Sequence, residues 1–356
     1  CALPISTSDL KEGNIVTVDG SKGIIYEGKV EELVSDEEEK KAGESVARST
    51  IVTGTLLYVN MSSPDAAEKV SKKMVDGVGL LRAEFIAAQL DKHPKKAISN
   101  GEGKKWSSSL ADGIAKVASA FNPRPVIYRT LDFKTNEYKE LKGGDIEPDE
   151  NNPMLGYRGC YRNISSKQVF KLELQAIKKV RNDMGLKNLH IMFPFVRKLD
   201  SLKNAIEICS SVGLRRNKDL KIWIMVEVPS TVFLIDDFLE LVDGVSIGSN
   251  DLTQLVLGVD RDNHNLSKLF DERDPAVLRA IGIVIKACQE KGKTVSICGQ
   301  APSVYDEIVE FLVENGITSI SVNPDAVERT RRMIARVEKR ILLSRLRRVE
   351  SRILRD

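Results

Sequence analysis

KIWIMVEVPSTVFLIDDFLELVDGVSIGSND, Lys221–Asp251, contains one repeat of a pattern that runs through this chain. Ile222–Val228 is an apolar run of strand length, a helix-length segment follows, and Val245–Gly248 is short and apolar again. A brief apolar run bounded by turn residues reads as a strand buried on both faces, as in a parallel sheet. Outward from this unit the same alternation predicts strands at Leu56–Asn60, Val78–Arg82, Val126–Leu131, His190–Phe195, Val295–Cys298 and Ser319–Val322. Eight strands with intervening helices predict an α/β fold, a (β/α)₈ TIM-type barrel over residues 51–326. The loops after the strands of such a barrel build its active site. Arg82, Arg129, Glu227, Asn250, Asp251 and Cys298 all fall there, so the chain reads as an enzyme.

The composition agrees with a globular protein of 356 residues, with 42% hydrophobic and 29% charged side chains. No apolar run approaches the roughly 20 residues that cross a bilayer, and no secretory signal opens the chain. The five cysteines (Cys1, Cys160, Cys209, Cys288, Cys298) are odd in number and widely spaced, without a CxxC pair. This argues against a disulfide framework or a structural zinc site, and for a cytoplasmic location. A net charge of +3 gives no case for nucleic acid or membrane as partner.

The charge is unevenly placed. Residues 328–356 hold ten Arg and one Lys against four acids. Val327, Ile334 and Ile341 recur by sevens with Val337 between, and Leu342, Leu346, Val349 and Ile353 continue one residue out of step. That spacing predicts a basic helical tail, 327–356, that seeks partner helices and makes a homo-oligomer. The alternatives are a helix folded back on its own barrel or an arginine-rich RNA-binding segment. At the other end, Asn14–Val18 and Ile24–Tyr26 read as strands around a turn, the end of a β-rich domain at 1–33. A charged linker or helix follows at 34–50. The chain opens on Cys1 as if in the middle of a fold, and is expected to belong to a longer one.

Glu227 and Asp251 stand at neighbouring strand ends, where two carboxylates can share a hard divalent cation. Mg²⁺ suits them, taking its remaining ligands from substrate and water. Asp251 could alternatively cap a helix beginning at Leu252. Arg82 and Arg129 offer planar forks that match carboxylate or phosphate oxygens. Together the four describe a site for a small, doubly anionic, metal-chelating substrate. Arg158 lies between Gly156 and Gly159, which suits a residue that must reach inward. Cys298, followed by Gly299, is placed for proton transfer. Cys160, Cys209, Cys288 and the three histidines read as structural or surface residues.

Several longer segments carry a family resemblance. GVGLLRAEF (Gly77–Phe85), TLDFKTNEY (Thr130–Tyr138), ENNPMLGYRG (Glu150–Gly159), IMFPFVR (Ile191–Arg197), VEVPS (Val226–Ser230), IGSNDLTQLVLGVDRD (Ile247–Asp262) and SICGQAPS (Ser296–Ser303) together resemble the phosphoenolpyruvate synthases, or pyruvate, water dikinases. KEGNIVTVDGSKGIIYEGKV (Lys11–Val30) resembles the end of that family's phosphohistidine domain. The resemblance implies Glu227 and Asp251 as Mg²⁺ ligands, and Arg82 and Arg129 on the carboxylate and phosphoryl oxygens of phosphoenolpyruvate. Gly248, Ser249 and Asn250 would add substrate contacts. Cys298 would give a proton to the enolate methylene to form pyruvate, and its thiolate would remove one in the synthetic direction. Family members pass a phosphoryl group from ATP through a mobile histidine domain to pyruvate, yielding phosphoenolpyruvate, AMP and phosphate.

The sequence holds no Thr-Cys-His-type carrier loop and no ATP-grasp segment. The expected role is therefore the pyruvate/phosphoenolpyruvate half-site, with the phosphohistidine and ATP-binding domains as its partners. Enzyme I of the sugar phosphotransferase system and pyruvate, phosphate dikinase share the barrel, and DFKTNEY and CGQAPS favour the synthase over both. An assembly scaffold without catalysis is the reading from another class.

Overall fold

The computed structural model describes residues 4–5, 15–19, 24–28 and 51–353. Its chain divides into two units, Cys1–Val52 and Thr53–Asp356. In the first, β1 (Pro4–Ile5), β2 (Val16–Asp19) and β3 (Ile24–Glu27) form an antiparallel sheet in the order β1-β3-β2. Two of these strands were legible as alternating runs; Pro4–Ile5 is too short to show a period. Cys1 and the charged stretch 34–50 lie outside the described residues.

The second unit is a closed parallel barrel of β4 (Leu56–Met61), β5 (Gly77–Arg82), β6 (Val126–Arg129), β7 (Leu189–Phe193), β8 (Ile222–Val226), β9 (Gly244–Ile247), β10 (Thr294–Ile297) and β11 (Ser319–Val322), with β11 closing onto β4. The expected (β/α)₈ barrel is the observed fold. Outward-facing residues such as Val126, Ile224, Ile247 and Ile297 join the helices in one large core. A separate inner cluster of Leu80, Ile127, Met192, Trp223, Met225 and Cys298 fills the barrel. Both faces of every strand are thus covered, which is why the strands read as continuous apolar runs.

Three strands stop two residues earlier than their apolar runs. The seventh ends at Phe193 because Pro194 brings no N–H and Phe195 takes a positive φ of 46°. The sixth and eighth end at Arg129 and Val226, which leaves Glu227 free to turn into the mouth. Between β6 and β7 the long polar segment holds short helices at Thr135–Lys139 and Gly159–Ser165, then a helix at Lys167–Lys178 that finishes in a π-helical turn, Lys179–Asp183. Among the described residues no helix is long and apolar enough to cross a membrane.

The C-terminal helix, Val327–Ile353, corrects one expectation. Val327, Ile334 and Val337 do not wait for a partner helix; they are buried in this barrel's own core, and Ile341 packs against it. Polar contacts fix the same half. Glu338 accepts the backbone N–H groups of Gly54 (3.0 Å) and Thr55 (2.7 Å), and Arg331 pairs with Asp76 at 2.8 Å. The seven-residue spacing matched because a helix lying on a barrel needs one apolar stripe, as a coiled coil does. Only the distal half keeps exposed apolar side chains, Leu342, Leu343 and Leu346.

Candidate active site at the barrel mouth

Glu227 follows β8 directly and is 2% exposed. Its Oε1 accepts the backbone N–H of Phe195 at 2.6 Å. That amide is aimed by the left-handed backbone at Phe195, a costly conformation for a bulky residue and one that clusters at functional sites. Gly248 lets the carboxylate lie against β9, since a Cβ there would stand 2.5 Å from Glu227 Oε2. Burial, then the nearby Asp251 and Asp132, push the Glu227 carboxyl above the usual carboxylate range, against the pull of Arg158 and Arg129.

Asp251 sits in the first turn of the helix Ser249–Leu257, whose N-cap is Gly248. It therefore does not cap a helix starting at Leu252. Its carboxylate meets Arg158 Nη2 at 3.0 Å and Arg261 Nη1 at 3.2 Å. Arg158 does reach inward: it is buried, its Nε and Nη2 donate to the two oxygens of Asp132 at 3.1 and 2.5 Å, and its guanidinium lies over the Phe195 ring at 4.2 Å. Burial opposes its charge, but Asp132, Asp251 and Glu227 more than compensate and raise its pKa. Gly159, at φ +63°, permits this turn, because a Cβ there would come within 2.5 Å of Phe195 Cβ.

On the opposite side, Arg129 donates to Glu84 Oε1 at 2.9 Å and stands 3.8 Å from Asp132. Glu84 Oε1 also accepts the Asp132 N–H at 2.7 Å, tying β5 to the loop after β6. Arg82 differs from every other cation at the mouth. It is half-buried and has no hydrogen bond or ion pair among the described residues, and its Nε is buried without a partner. Burial and the neighbouring Arg129 lower its pKa. An unmatched guanidinium beside a second arginine is a place where an anion is needed.

Cys298 is 1% exposed, its Sγ 3.7 Å from the Ile247 carbonyl, and burial pushes its thiol up to about 11. At neutral pH it keeps its proton. Asn250 Oδ1 accepts the Gln300 N–H at 3.1 Å. Ser249 Oγ donates to the buried Glu272 at 2.5 Å, whose pKa burial raises. The first contact binds the end of β9 to the loop after Cys298, and the second binds it to the segment before the helix Pro275–Glu290.

Sequence reasoning missed Asp132, Glu84, Arg261, Glu272 and Phe195. All but Glu272 lay inside the family segments, but nothing in one sequence says which acid faces which arginine. Cys160, Cys209 and Cys288 are buried and have raised pKa values, as structural thiols do. Buried His93 meets Glu147 at 3.0 Å within a network with Arg162, and His190 is lowered to about 4 by burial and nearby cations.

No group of three or more His, Cys, Asp or Glu side chains is gathered to hold a metal among the described residues. Two hard carboxylates are enough for Mg²⁺, which completes its shell with substrate and water oxygens. Burial and the neighbouring Asp251 raise the Glu227 pKa, and Asp251 Oδ1, although 3.2 Å from Arg261, makes no hydrogen bond, so a cation between the two carboxylates would relieve both. The residues present fit the ion.

Fold and mouth together define an enzyme barrel of the (β/α)₈ type. The chain belongs to the PEP-utilising enzymes: the family described as "PEP-utilising enzyme, PEP-binding domain" matches residues 36–339. It is 53% identical over 98% of its length to the probable phosphoenolpyruvate synthase of Staphylothermus marinus and to the phosphoenolpyruvate synthase of Aeropyrum pernix. It covers 43% and 44% of those two proteins, so the chain spans less than half the length of these relatives. A solved aldolase/citrate lyase family protein from Burkholderia cenocepacia overlaps 82% of this chain and 95% of its own, at 17% identity and a TM-score of 0.44, too loosely to bear on the site.

Proposed function

We propose that this barrel binds pyruvate and phosphoenolpyruvate with Mg²⁺ and carries out the enolisation and phosphoryl-transfer half-reaction of a phosphoenolpyruvate synthase. The unmatched guanidinium of Arg82 beside Arg129 is the observation that carries the reading. The names of the relatives support it. Arg82 and Arg129 take the substrate's carboxylate and phosphoryl oxygens, and Glu84 holds Arg129 in place. Glu227 and Asp251 would hold Mg²⁺, which supplies positive charge where the enolate oxygen becomes negative. Gly248, Ser249 and Asn250 line the same strand end, and Arg158 keeps Asp251 oriented. Cys298, protonated at neutral pH, gives its proton to the methylene carbon when pyruvate forms.

The complete reaction, from ATP, pyruvate and water to phosphoenolpyruvate, AMP and phosphate, then needs a phosphohistidine carrier and an ATP-binding domain as partners. The exposed Leu342, Leu343 and Leu346 on a basic helix support association with a second copy of the chain. Leu342→Glu with Leu346→Glu tests this by sedimentation, because truncation near Asp325 would strip Val327, Ile334 and Val337 from the core.

Calorimetric titration with oxalate, a planar mimic of the enolate, tests the site. Binding should require Mg²⁺, vanish in Glu227→Ala and weaken about 100-fold in Arg82→Ala, a loss of about 3 kcal/mol. Metal-independent binding that Glu227→Ala leaves intact would refute the reading.

A further inference from the structure

We propose that Ser246, with Ser296 beside it, serves the Cys298 sulfur as a hydroxyl partner, donating a hydrogen bond to it once the thiol has passed its proton to the substrate carbon. This rests on the reading of Cys298 as the proton carrier, and it adds two positioning residues to that step.

The placement follows from strand register. β9 and β10 run side by side with Ser246 opposite Ser296 and Ile247 opposite Ile297. Both isoleucines belong to the outer core, and Cys298 belongs to the inner cluster. Because successive side chains alternate between faces, Ser246 and Ser296 point into the barrel one level below Cys298. The residue above Ser246 on its own strand is Gly248, which puts no side chain between the hydroxyl and the sulfur.

The two serines are 0% and 1% exposed, and neither hydroxyl has a hydrogen-bond partner among the described residues. A buried hydroxyl left unpaired is costly, so each calls for a partner. One level up, beside Cys298, the polar groups are matched. Ser321 Oγ donates to Asn60 Oδ1 at 2.7 Å, and Asn60 Nδ2 donates to the Cys298 carbonyl at 3.2 Å. One side of the barrel therefore holds the backbone of Cys298, while the other presents two unmatched O–H groups beneath its sulfur.

The thiol itself explains why they are unmatched. In the protonated state Cys298 is a donor, with the Ile247 carbonyl 3.7 Å from its Sγ. A thiolate cannot donate; it can only accept. When the S–H bond breaks, a C–H bond forms at the enolate methylene carbon. The C=C pair takes up the proton and the S–H pair stays on sulfur. Ser246 then rotates its intact O–H onto that sulfur, and the reverse sequence serves proton removal from pyruvate. A hydroxyl at the Ser246 position favours the thiolate against burial, as do Arg82 and Arg129, while Glu227 opposes it.

Iodoacetamide reacts with the thiolate, so its rate at Cys298, followed on the Cys298 peptide by mass spectrometry across pH, reads the thiolate fraction. Ser246→Ala should cut that rate about tenfold at any pH below the thiol pKa, the effect of about one pKa unit. Ser296→Ala should cut it less, and Ser246→Thr, which keeps the hydroxyl, should restore it. Ser246→Gly serves as a second hydroxyl-free variant if Ala does not fold. Deuterium entry into the pyruvate methyl group, measured by NMR with Mg²⁺ on the same chains, should fall in the same order. Rates within twofold of wild type in both hydroxyl-free variants would overturn the proposal, and so would a wild-type Cys298 that reacts at no pH. Methyl exchange that survives Cys298→Ala would overturn the proton-carrier reading instead.

Discussion

The two ends of the barrel use arginine in opposite ways. At the end where the strands begin, Arg331, Arg216 and Arg124 each find an acid or carbonyls, though Arg331 Nε is buried without a hydrogen bond. Arg331 donates to Asp76 and to the Met74 carbonyl, and Arg216 to Asp243 and the Val242 carbonyl. Arg124 donates to the Val75 and Ser71 carbonyls. The same acids hold the first strand amides: Asp76 accepts the Leu57 N–H at 2.7 Å and Asp243 the Ile222 N–H at 2.9 Å. Where the strands end, Arg82 has no partner, and Arg129 Nε, Glu84 Oε2 and Asp251 Oδ1 are buried without a hydrogen bond. Glu227 and Glu173 have raised pKa values there. One end is arranged for stability, and the other keeps bonding capacity in reserve for a ligand.

Four measurements can break or sharpen this contrast. The largest effect concerns pH. Glu173 accepts the Leu131 N–H and the Tyr128 hydroxyl, and burial pushes its carboxyl from 4.5 up to about 8. A carboxyl with a raised folded pKa takes up a proton on folding, so its stability contribution is full below pH 4.5 and is lost as pH rises through 8. Denaturant unfolding should show a loss on the order of 4 kcal/mol over that window, and Glu173→Gln, which keeps the acceptor oxygen, should remove most of it. An unchanged pH slope in that variant would assign the effect elsewhere.

Next comes Arg331→Ala, which strands Asp76 and should lower stability by about 3 kcal/mol while leaving oxalate affinity within twofold. The mirror experiment is Arg82→Ala, with its 100-fold loss of oxalate binding and a melting temperature equal to or above wild type, since an unmatched charge is removed. If Arg82→Ala destabilised the fold as Arg331→Ala does, the contrast between the two ends would collapse. The smallest effect belongs to Glu84→Gln. Replacing the charged partner of Arg129 should cost about tenfold in oxalate affinity, roughly 1.4 kcal/mol, with little change in melting temperature. Calorimetry at matched pH separates this from the Arg82 loss.

Much of the barrel was legible because its strands are short, apolar and bounded by turn residues, and both their faces are covered. Leu56, Ile222 and Ser319 mark strand starts in sequence and structure alike. The tail shows where pattern fails. Val327, Ile334 and Ile341 have the spacing of a coiled coil, yet the first two fill this chain's own core and the third packs on it. An apolar stripe states that a helix needs a cover and does not say which surface provides it.

The candidate site divides in the same manner. Arg82, Arg129, Glu227, Asp251 and Cys298 could be chosen from sequence because a parallel barrel brings all strand ends to one mouth. That follows from local periodicity, which one sequence carries in full. Which charges meet there is a property of the closed sheet. The grip of Arg158 on both Asp132 and Asp251 and the Phe195 amide on Glu227 join residues far apart in the chain. Distances of 3 Å between such residues depend on strand register, side-chain packing and backbone turns acting together, and only the folded barrel settles them.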